Sequence, residues 1–295
     1  MEFIGLDAER IDFTTALNSP KSQSFGRRIY FIEQQGRSFW LKFQLLSSGV
    51  HDLYHAHQHS FLNELNCYTQ LSHSQTAEKK LLLNFSILKT SQFFHALRQQ
   101  AFQEQNSKQY SFQKHETFID QVLCVEHATL LFPAQIDQFD RTEIFNRLKL
   151  SLDVLEHLHE CGYIHGDLKI EHFRYSNDQA ALIDFEQTSH VQWLNHLANT
   201  ATPRYMAPEL FHAENKSFAS DIYALGVIWL EWLTQIRFQQ KSYLDWAKLH
   251  CQSLKIDLPM QFEMLEEILL SMLMKNKQQR CSNIYQLKQV LSKIA

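Results

Sequence analysis

The densest run of reactive side chains in the chain is Tyr163-Ile-His-Gly-Asp-Leu-Lys-Ile-Glu-His-Phe173, followed shortly by Ala181-Leu-Ile-Asp-Phe-Glu186. Asp167, Lys169 and His172 fall in one short stretch, and Asp184 stands seventeen residues after Asp167 (167 to 184). Carboxylate, ammonium and imidazole are the groups from which proton transfer, anion binding and metal ligation are built. Taken singly, each has a plainer reading. An aspartate in a loop is most often a turn former or helix cap, and a lysine is most often a solvated charge. Their order relative to other short motifs is what gives them meaning.

The run His165-x-Asp-Leu-Lys169 leads to Asp184-Phe185, then to Thr202-Pro-Arg-Tyr-Met-Ala-Pro-Glu209, to Ser220-Asp-Ile-Tyr-Ala-Leu-Gly226, and finally to Arg280. In this order and spacing the motifs resemble the protein kinase family, and within it the bacterial eukaryotic-like serine/threonine kinases. The resemblance covers roughly residues 24–295 and is weakest at 90–121. It implies an α+β, bilobal protein-kinase-like fold with a strand-rich N-lobe and a helical C-lobe. It also implies ATP-dependent transfer of a phosphoryl group to serine or threonine hydroxyls of a protein substrate, with Mg2+ or Mn2+ as the metal. Under that resemblance Asp167 accepts or orients the hydroxyl proton, Lys169 supports the transferring phosphate, and Asp184 binds the metal that bridges phosphate oxygens. Lys42, in Phe39-Trp-Leu-Lys42, matches the strand lysine that contacts the inner phosphates, and Glu64 on the following helix would hold it. The backbones of Glu126 and Ala128, in Leu123-Cys-Val-Glu-His-Ala128, would meet the adenine edge. A buried strand ending in a plain turn is the alternative at that point. Asp221 would brace the catalytic-loop backbone, Arg280 would pair with Glu209, and His165 would pack on Phe185.

Several positions depart from the family pattern. The phosphate-covering segment Ser22-Gln-Ser-Phe-Gly26 offers the single glycine Gly26, where backbone amides capping phosphates normally need several. Trp40 stands where the family has a small residue over the base, so its indole either stacks on adenine or fills the pocket. His172 replaces the asparagine that holds a second metal, and an imidazole ligand favours ions softer than magnesium. Glu186 replaces the glycine after Asp184-Phe185. Gly166 replaces the arginine that in the family binds a phosphate on the activation loop, so the chain is expected not to need phosphorylation of residues 187–201, where Thr188, Ser189 and Thr200 are the candidate acceptors. Two further readings follow. One is a pseudokinase acting as a nucleotide-binding or scaffold module. The other is a sugar kinase, since His172-Phe173, the aromatic before Lys42 and Asn63-Glu64 resemble bacterial lipopolysaccharide sugar kinases. The extended segment Thr202–Glu209 favours the protein kinase, and retention of Lys42, Asp167 and Asp184 favours activity.

The elements that must position these groups can be read from periodicity. Ile29–Ile32 and Phe39–Phe43 alternate about a turn at Gly36, which predicts a hairpin. A helix with Ser60 near its cap should carry Phe61, Leu62, Leu65, Tyr68 and Leu71 on one face. Leu81–Leu88 and Val122–Val125 read as strands, separated by a glutamine-rich insertion at about 90–117. Beyond Asp140, Ile144, Leu148, Leu152, Leu155 and Leu158 predict a helix stopped by Gly162. Ile222–Leu233, apolar nearly all round, predicts a buried one, and Met264–Leu273 and Tyr285–Leu291 supply two more. The expected domains are an N-lobe at 1–126 and a C-lobe at 127–295.

Composition narrows the class. At 295 residues, 44% of them hydrophobic, the chain can bury two cores. A net charge of -4 argues against nucleic acid as the principal ligand. The acidic Met1–Arg10 stretch is unlike a secretory signal, and the apolar run Ile222–Leu233 is too short for a membrane span. Cys67, Cys124, Cys161, Cys251 and Cys281 form no Cys-x-x-Cys pair and are odd in number, which fits a reducing, cytoplasmic setting. Any signal is expected to arrive through a regulatory partner. His51, His55, His57 and His59 crowd one approach, with His55 and His59 at i,i+4 spacing. A solvated polar segment is the default reading there, with metal binding as its rival.

Overall fold

The computed structural model describes residues 26–46, 52–76, 79–93, 117–193 and 201–294. The chain divides into two compact units, one drawn from Met1–Asn66 and Leu83–His127, the other from Cys67–Leu82 and Ala128–Ala295.

The first unit is built on an antiparallel sheet. Strands β1 (Arg27–Gln34) and β2 (Arg37–Leu46) pair in register from Arg27↔Gln44 to Gln34↔Arg37. Gln35 and Gly36 both have positive φ, 54° and 73°, which is the backbone of a type I′ turn and follows the right-handed twist of the flanking strands. After helix α1 (Asp52–Ser72) come β3 (Phe85–Leu88), the short β4 (Thr117–Phe118) and β5 (Val122–Glu126). The sheet order is β1-β2-β5-β3, with β4 paired to β2. Alternation along β2 buries Phe39, Leu41, Phe43 and Leu45 on one face and directs Trp40 and Lys42 to the other. Tyr30, Ile32, Val122, Cys124 and Phe93 complete the apolar cluster on the buried face.

The second unit holds the three-stranded sheet β6 (Thr129–Leu130), β8 (Phe173–Ser176) and β9 (Gln179–Leu182), and the pair β7 (Tyr163–Ile164) with β10 (Ser189–His190). Its helices are α2 (Arg141–Glu160), α3 (Pro208–Phe211), α4 (Phe218–Thr234), α5 (Tyr243–Lys248), α6 (Glu266–Met272) and α7 (Ile284–Ile294). Asp140 caps α2 by accepting the Glu143 N–H at 2.8 Å. The predicted stripe Ile144, Leu148, Leu152, Leu155 and Leu158 is buried throughout. Helix α4 starts from a capping box between Ser217 and Ser220, and every residue from Ala219 to Leu233 is buried. Two indoles lock it to its surroundings. Trp229 Nε1 donates to Ser151 Oγ at 3.0 Å, and Trp232 Nε1 donates to the Pro133 carbonyl at 2.8 Å.

Four expectations need adjustment. Helix α1 begins at Asp52 rather than near Ser60, which lies inside the helix. Leu62 is 43% exposed, while Phe61, Leu65, Tyr68 and Leu71 are buried. The strand predicted from Leu81 starts only at Phe85; Leu81 and Leu82 instead meet β9 through the Leu82↔Leu182 bridge, which parallels the break between the two units. The segment predicted as a helix from Met264 enters as a 3-10 turn, Met260–Leu265, before α6. Of the glutamine-rich insertion, residues 94–116 lie outside the described residues, as do Ser22–Phe25, His51 and Thr200. His59 is exposed on α1. Among the described residues, no helix is long and apolar enough to cross a membrane.

Arg280, 3% exposed, donates Nη1 and Nη2 to the two carboxylate oxygens of Glu209 at 2.7 and 2.8 Å, and Nη1 also to the Ala219 carbonyl at 3.0 Å. The predicted pair is therefore a bidentate, fully buried one that joins α3 to the start of α4. Removing one partner leaves a buried charge behind. Arg280→Met should lower the free energy of unfolding in urea at pH 7 by about 3–5 kcal/mol, and adding Glu209→Gln should recover part of the loss. A decrease too small to resolve would contradict this assignment.

Candidate active site

The loop between β7 and β8 holds Asp167 and Lys169, and a buried carboxylate shapes it. Asp221, 2% exposed at the first turn of α4, accepts the backbone N–H of His165 through Oδ2 at 2.8 Å and that of Gly166 through Oδ1 at 2.9 Å. His159 Nε2 lies 3.0 Å from the same Oδ2. These bonds fix the turn immediately before Asp167. Gly166 has φ +76°, and a Cβ there would fall 2.8 Å from the Gln187 carbonyl oxygen and 2.7 Å from Lys216 Cδ. The glycine is required both by its backbone and by its neighbours.

Asp167 is held at both oxygens. Oδ1 accepts the Thr202 backbone N–H at 2.7 Å, and Oδ2 lies 2.9 Å from Lys169 Nζ. Thr202 is thus joined to this loop through its backbone amide. Burial draws the Lys169 pKa down, but the carboxylates of Asp167 and Asp184 outweigh it and leave the ammonium above its ordinary range. Lys169 is consequently a permanent cation beside a fixed carboxylate.

Asp184 follows β9 and adopts a left-handed backbone, φ 66° and ψ 67°, which is uncommon for a residue other than glycine and clusters at functional sites. Its Oδ2 lies 3.2 Å from Nε2 of His172, which is 6% exposed. The backbone supports that approach: the Ile183 N–H donates to the His172 carbonyl at 3.2 Å, and the His172 N–H to the Lys169 carbonyl at 3.0 Å. His165 is fully buried, 5.5 Å from the Phe185 ring and 5.5 Å from the His172 ring between centroids. Phe185 itself meets Tyr68 edge-on at 5.1 Å. Glu186 is buried beside them.

In the first unit, Lys42 Nζ lies 2.7 Å from Glu64 Oε2, with Glu64 only 2% exposed, so the strand lysine and the helix glutamate are brought together as expected. Gly26 precedes β1, and its carbonyl accepts the Leu45 N–H at 2.8 Å. Glu126 ends β5: its N–H donates to the Asn84 carbonyl at 2.8 Å, and its carboxylate accepts Arg37 Nη2 at 2.7 Å. Trp40 is tied down by its indole N–H, which donates to His127 Nδ1 at 3.0 Å, with Phe31 packed on both rings. Ala128, in the second unit, is buried, and its carbonyl accepts Arg174 Nη1 at 3.4 Å. Lys216, His159 and Gln187 were not singled out from sequence. A histidine spaced along α2 and a lysine before a helix carry no motif, and only the glycine at 166 hinted that another side chain occupies that space.

Burial pushes His165 down to about 4 from an ordinary 6.5; the neighbouring His172 adds to the effect and Asp221 opposes it. Because the unfolded chain binds this proton more readily, the associated stability is complete above pH 6.5 and is lost as pH falls towards 4. Wild type should lose roughly 3 kcal/mol more than His165→Phe between those limits, read from urea unfolding at a series of pH values. Parallel curves for the two proteins would contradict a neutral, buried His165.

A family model described as Protein kinase domain matches residues 55–293. Among curated proteins, a probable LIM domain-containing serine/threonine-protein kinase of Dictyostelium discoideum is 35% identical over 89 residues, 28% of this chain and 9% of that protein. A probable serine/threonine-protein kinase of Encephalitozoon cuniculi is 26% identical over 129 residues, 44% of this chain and 24% of the relative. Human calcium/calmodulin-dependent protein kinase type 1B is 36% identical over 81 residues, 26% of this chain and 24% of the relative. The matches thus span at most about a quarter of these relatives' lengths. Among solved structures, the Cydia pomonella granulovirus kinase PK-1 aligns with a TM-score of 0.59 over 94% of this chain and 91% of its own, at 15% identity, a likeness of fold.

Proposed function

The chain belongs to the protein kinase family, and on that premise we propose that it transfers a phosphoryl group from ATP to serine or threonine hydroxyls of protein substrates. The observation that carries the reading is the fixed Asp167 carboxylate, bonded to the Thr202 amide on one oxygen and set against Lys169 on the other. A carboxylate so held orients an incoming hydroxyl and takes its proton as the bond to phosphorus forms. Lys169 stands next to it as a cation for the phosphoryl oxygens. Lys42, positioned by Glu64, holds the inner phosphates, and Gly26 lies in the segment that covers them. Glu126 and Ala128 present backbone to the adenine edge; since the Glu126 N–H is donated to Asn84, its share of that contact falls to the carbonyl. These roles divide between an N-lobe at 1–126 and a C-lobe at 127–295.

Asp184 and His172 suit a divalent cation, because a carboxylate oxygen and an imidazole nitrogen already converge to 3.2 Å. When bound there, the ion neutralises charge on the phosphate oxygens. His172 contributes nitrogen to an otherwise oxygen set and thereby favours Mn2+ over Mg2+. The names of the two relatives described as serine/threonine-protein kinases support serine or threonine as the acceptor in preference to a sugar hydroxyl. The presence of Lys42, Asp167 and Asp184 together supports activity over a pseudokinase role. Five free cysteines support a cytoplasmic location, and a regulatory partner is part of the same proposal.

The test is transfer of labelled phosphate from ATP to a generic basic protein and to the chain itself, with Mg2+ or Mn2+. Wild type should label serine or threonine, faster with Mn2+, and Asp167→Asn should lose about a hundredfold or more. His172→Asn should move the preference towards Mg2+. Labelling of a sugar hydroxyl alone, or an Asp167→Asn rate equal to wild type, would overturn the reading.

A further inference from the structure

Lys216 is 6% exposed, although lysines are almost never fully buried without a partner. It immediately precedes Ser217, the cap of α4. From there its side chain runs across Gly166 and its Nζ donates to Gln187 Oε1 at 3.3 Å. Gln187 closes the 3-10 turn that begins after Asp184. The fit about Gly166 is close: a Cβ at that position would stand 2.7 Å from Lys216 Cδ, 3.1 Å from its Nζ and 2.8 Å from the Gln187 carbonyl oxygen. No side chain at 166 could coexist with this arrangement. The residue before Asp167 has been reduced to backbone, and the space is filled by a cation arriving from another part of the chain.

The charges around Lys216 have a consistent sense. Burial lowers its pKa to about 8, while the carboxylates of Asp167 and Asp221 pull the other way. The side chain therefore remains largely an ammonium near neutrality. A methionine of similar length would fill the same volume without the cost of desolvating a charge, so packing alone does not account for lysine here. What the ammonium adds is a bond to Gln187 and an attraction towards the two carboxylates that define the Asp167 turn.

We propose that Lys216 is a positioning residue for phosphoryl transfer, an internal cation that ties the Gly166–Asp167 turn to the Asp184–Gln187 turn in the unphosphorylated chain. This rests on the protein kinase reading above. The base and the metal-binding carboxylate are then registered by a residue always present, and the site is ordered without any phosphate added to residues 187–201.

The full chain, treated with phosphatase, is compared as wild type, Lys216→Met, Lys216→Arg and Gln187→Leu. Two readouts are taken: steady-state transfer from ATP, and hydrogen exchange of the backbone amides at 165–167 and 187–188. Treated wild type should keep its rate. Lys216→Met should lower kcat at least about tenfold with KM for ATP changed less than about twofold, and should speed exchange in both segments together. Lys216→Arg should recover part of kcat, which a loss of packing would not allow. Gln187→Leu, which leaves Lys216 in place, should move both readouts in the same direction and serves if Lys216→Met does not fold. Wild-type kcat and unchanged exchange in Lys216→Met, or loss of activity on phosphatase treatment alone, would overturn the proposal. If wild type transfers no phosphate to any acceptor, the kinase reading falls, while the exchange comparison still decides whether Lys216 couples the two turns.

Discussion

A single buried carboxylate sets the geometry on which the rest of the site is built. Asp221 takes two consecutive backbone amides, those of His165 and Gly166, and a histidine from α2 on top of them. A loop between two short strands would otherwise have many conformations, and fixing each residue costs on the order of 1–2 kcal/mol. Two charge-assisted bonds from the rigid first turn of a buried helix offset that cost where it matters, at the residue before Asp167. The helix that carries Asp221 is in turn pinned by its capping box, by Trp229 on Ser151 and Trp232 on Pro133, and by the Arg280–Glu209 pair at its start. The core of the second unit is thus connected, bond by bond, to the turn that carries Asp167.

Charge is arranged around that frame so that each acid has a defined neighbour. Asp167 faces Lys169, Asp184 faces His172, and Asp221 is satisfied by backbone and His159. His165, its ring tilted against that of His172 at 5.5 Å between centroids and held neutral by burial, adds no charge to these groups. Lys42 and Glu64 repeat the logic in the first unit, where a nearly inaccessible carboxylate fixes the orientation of a lysine that is itself mostly buried. Fixed partners of this kind suit electrostatic catalysis, since little reorganisation is then needed when charge moves during the reaction.

Much of this was legible in the sequence, for identifiable reasons. The stripe from Ile144 to Leu158 and the all-apolar run in α4 are long and strongly periodic, and both elements formed where the pattern placed them. The β1–β2 hairpin was announced by Gly36 between two alternating segments. The delayed start of β3 was not legible, because tertiary contacts rather than local propensity set that boundary: Leu81 and Leu82 are drawn to β9. The pairs Lys42–Glu64 and Arg280–Glu209 were readable only through motif order, since each joins residues far apart in sequence. Lys216 carried no motif at all. Its place became visible only when the space above Gly166 was seen to be filled from elsewhere.

The most direct measurement is the turnover of Asp221→Asn, taken with backbone hydrogen exchange at His165 and Gly166. An asparagine keeps the shape but loses the charge and one of the two acceptor oxygens. Expected is a fall in kcat of about a hundredfold, KM for ATP nearly unchanged, and faster exchange confined to the loop around Asp167. Full turnover with an unprotected loop would contradict the claim that this carboxylate sets the catalytic geometry.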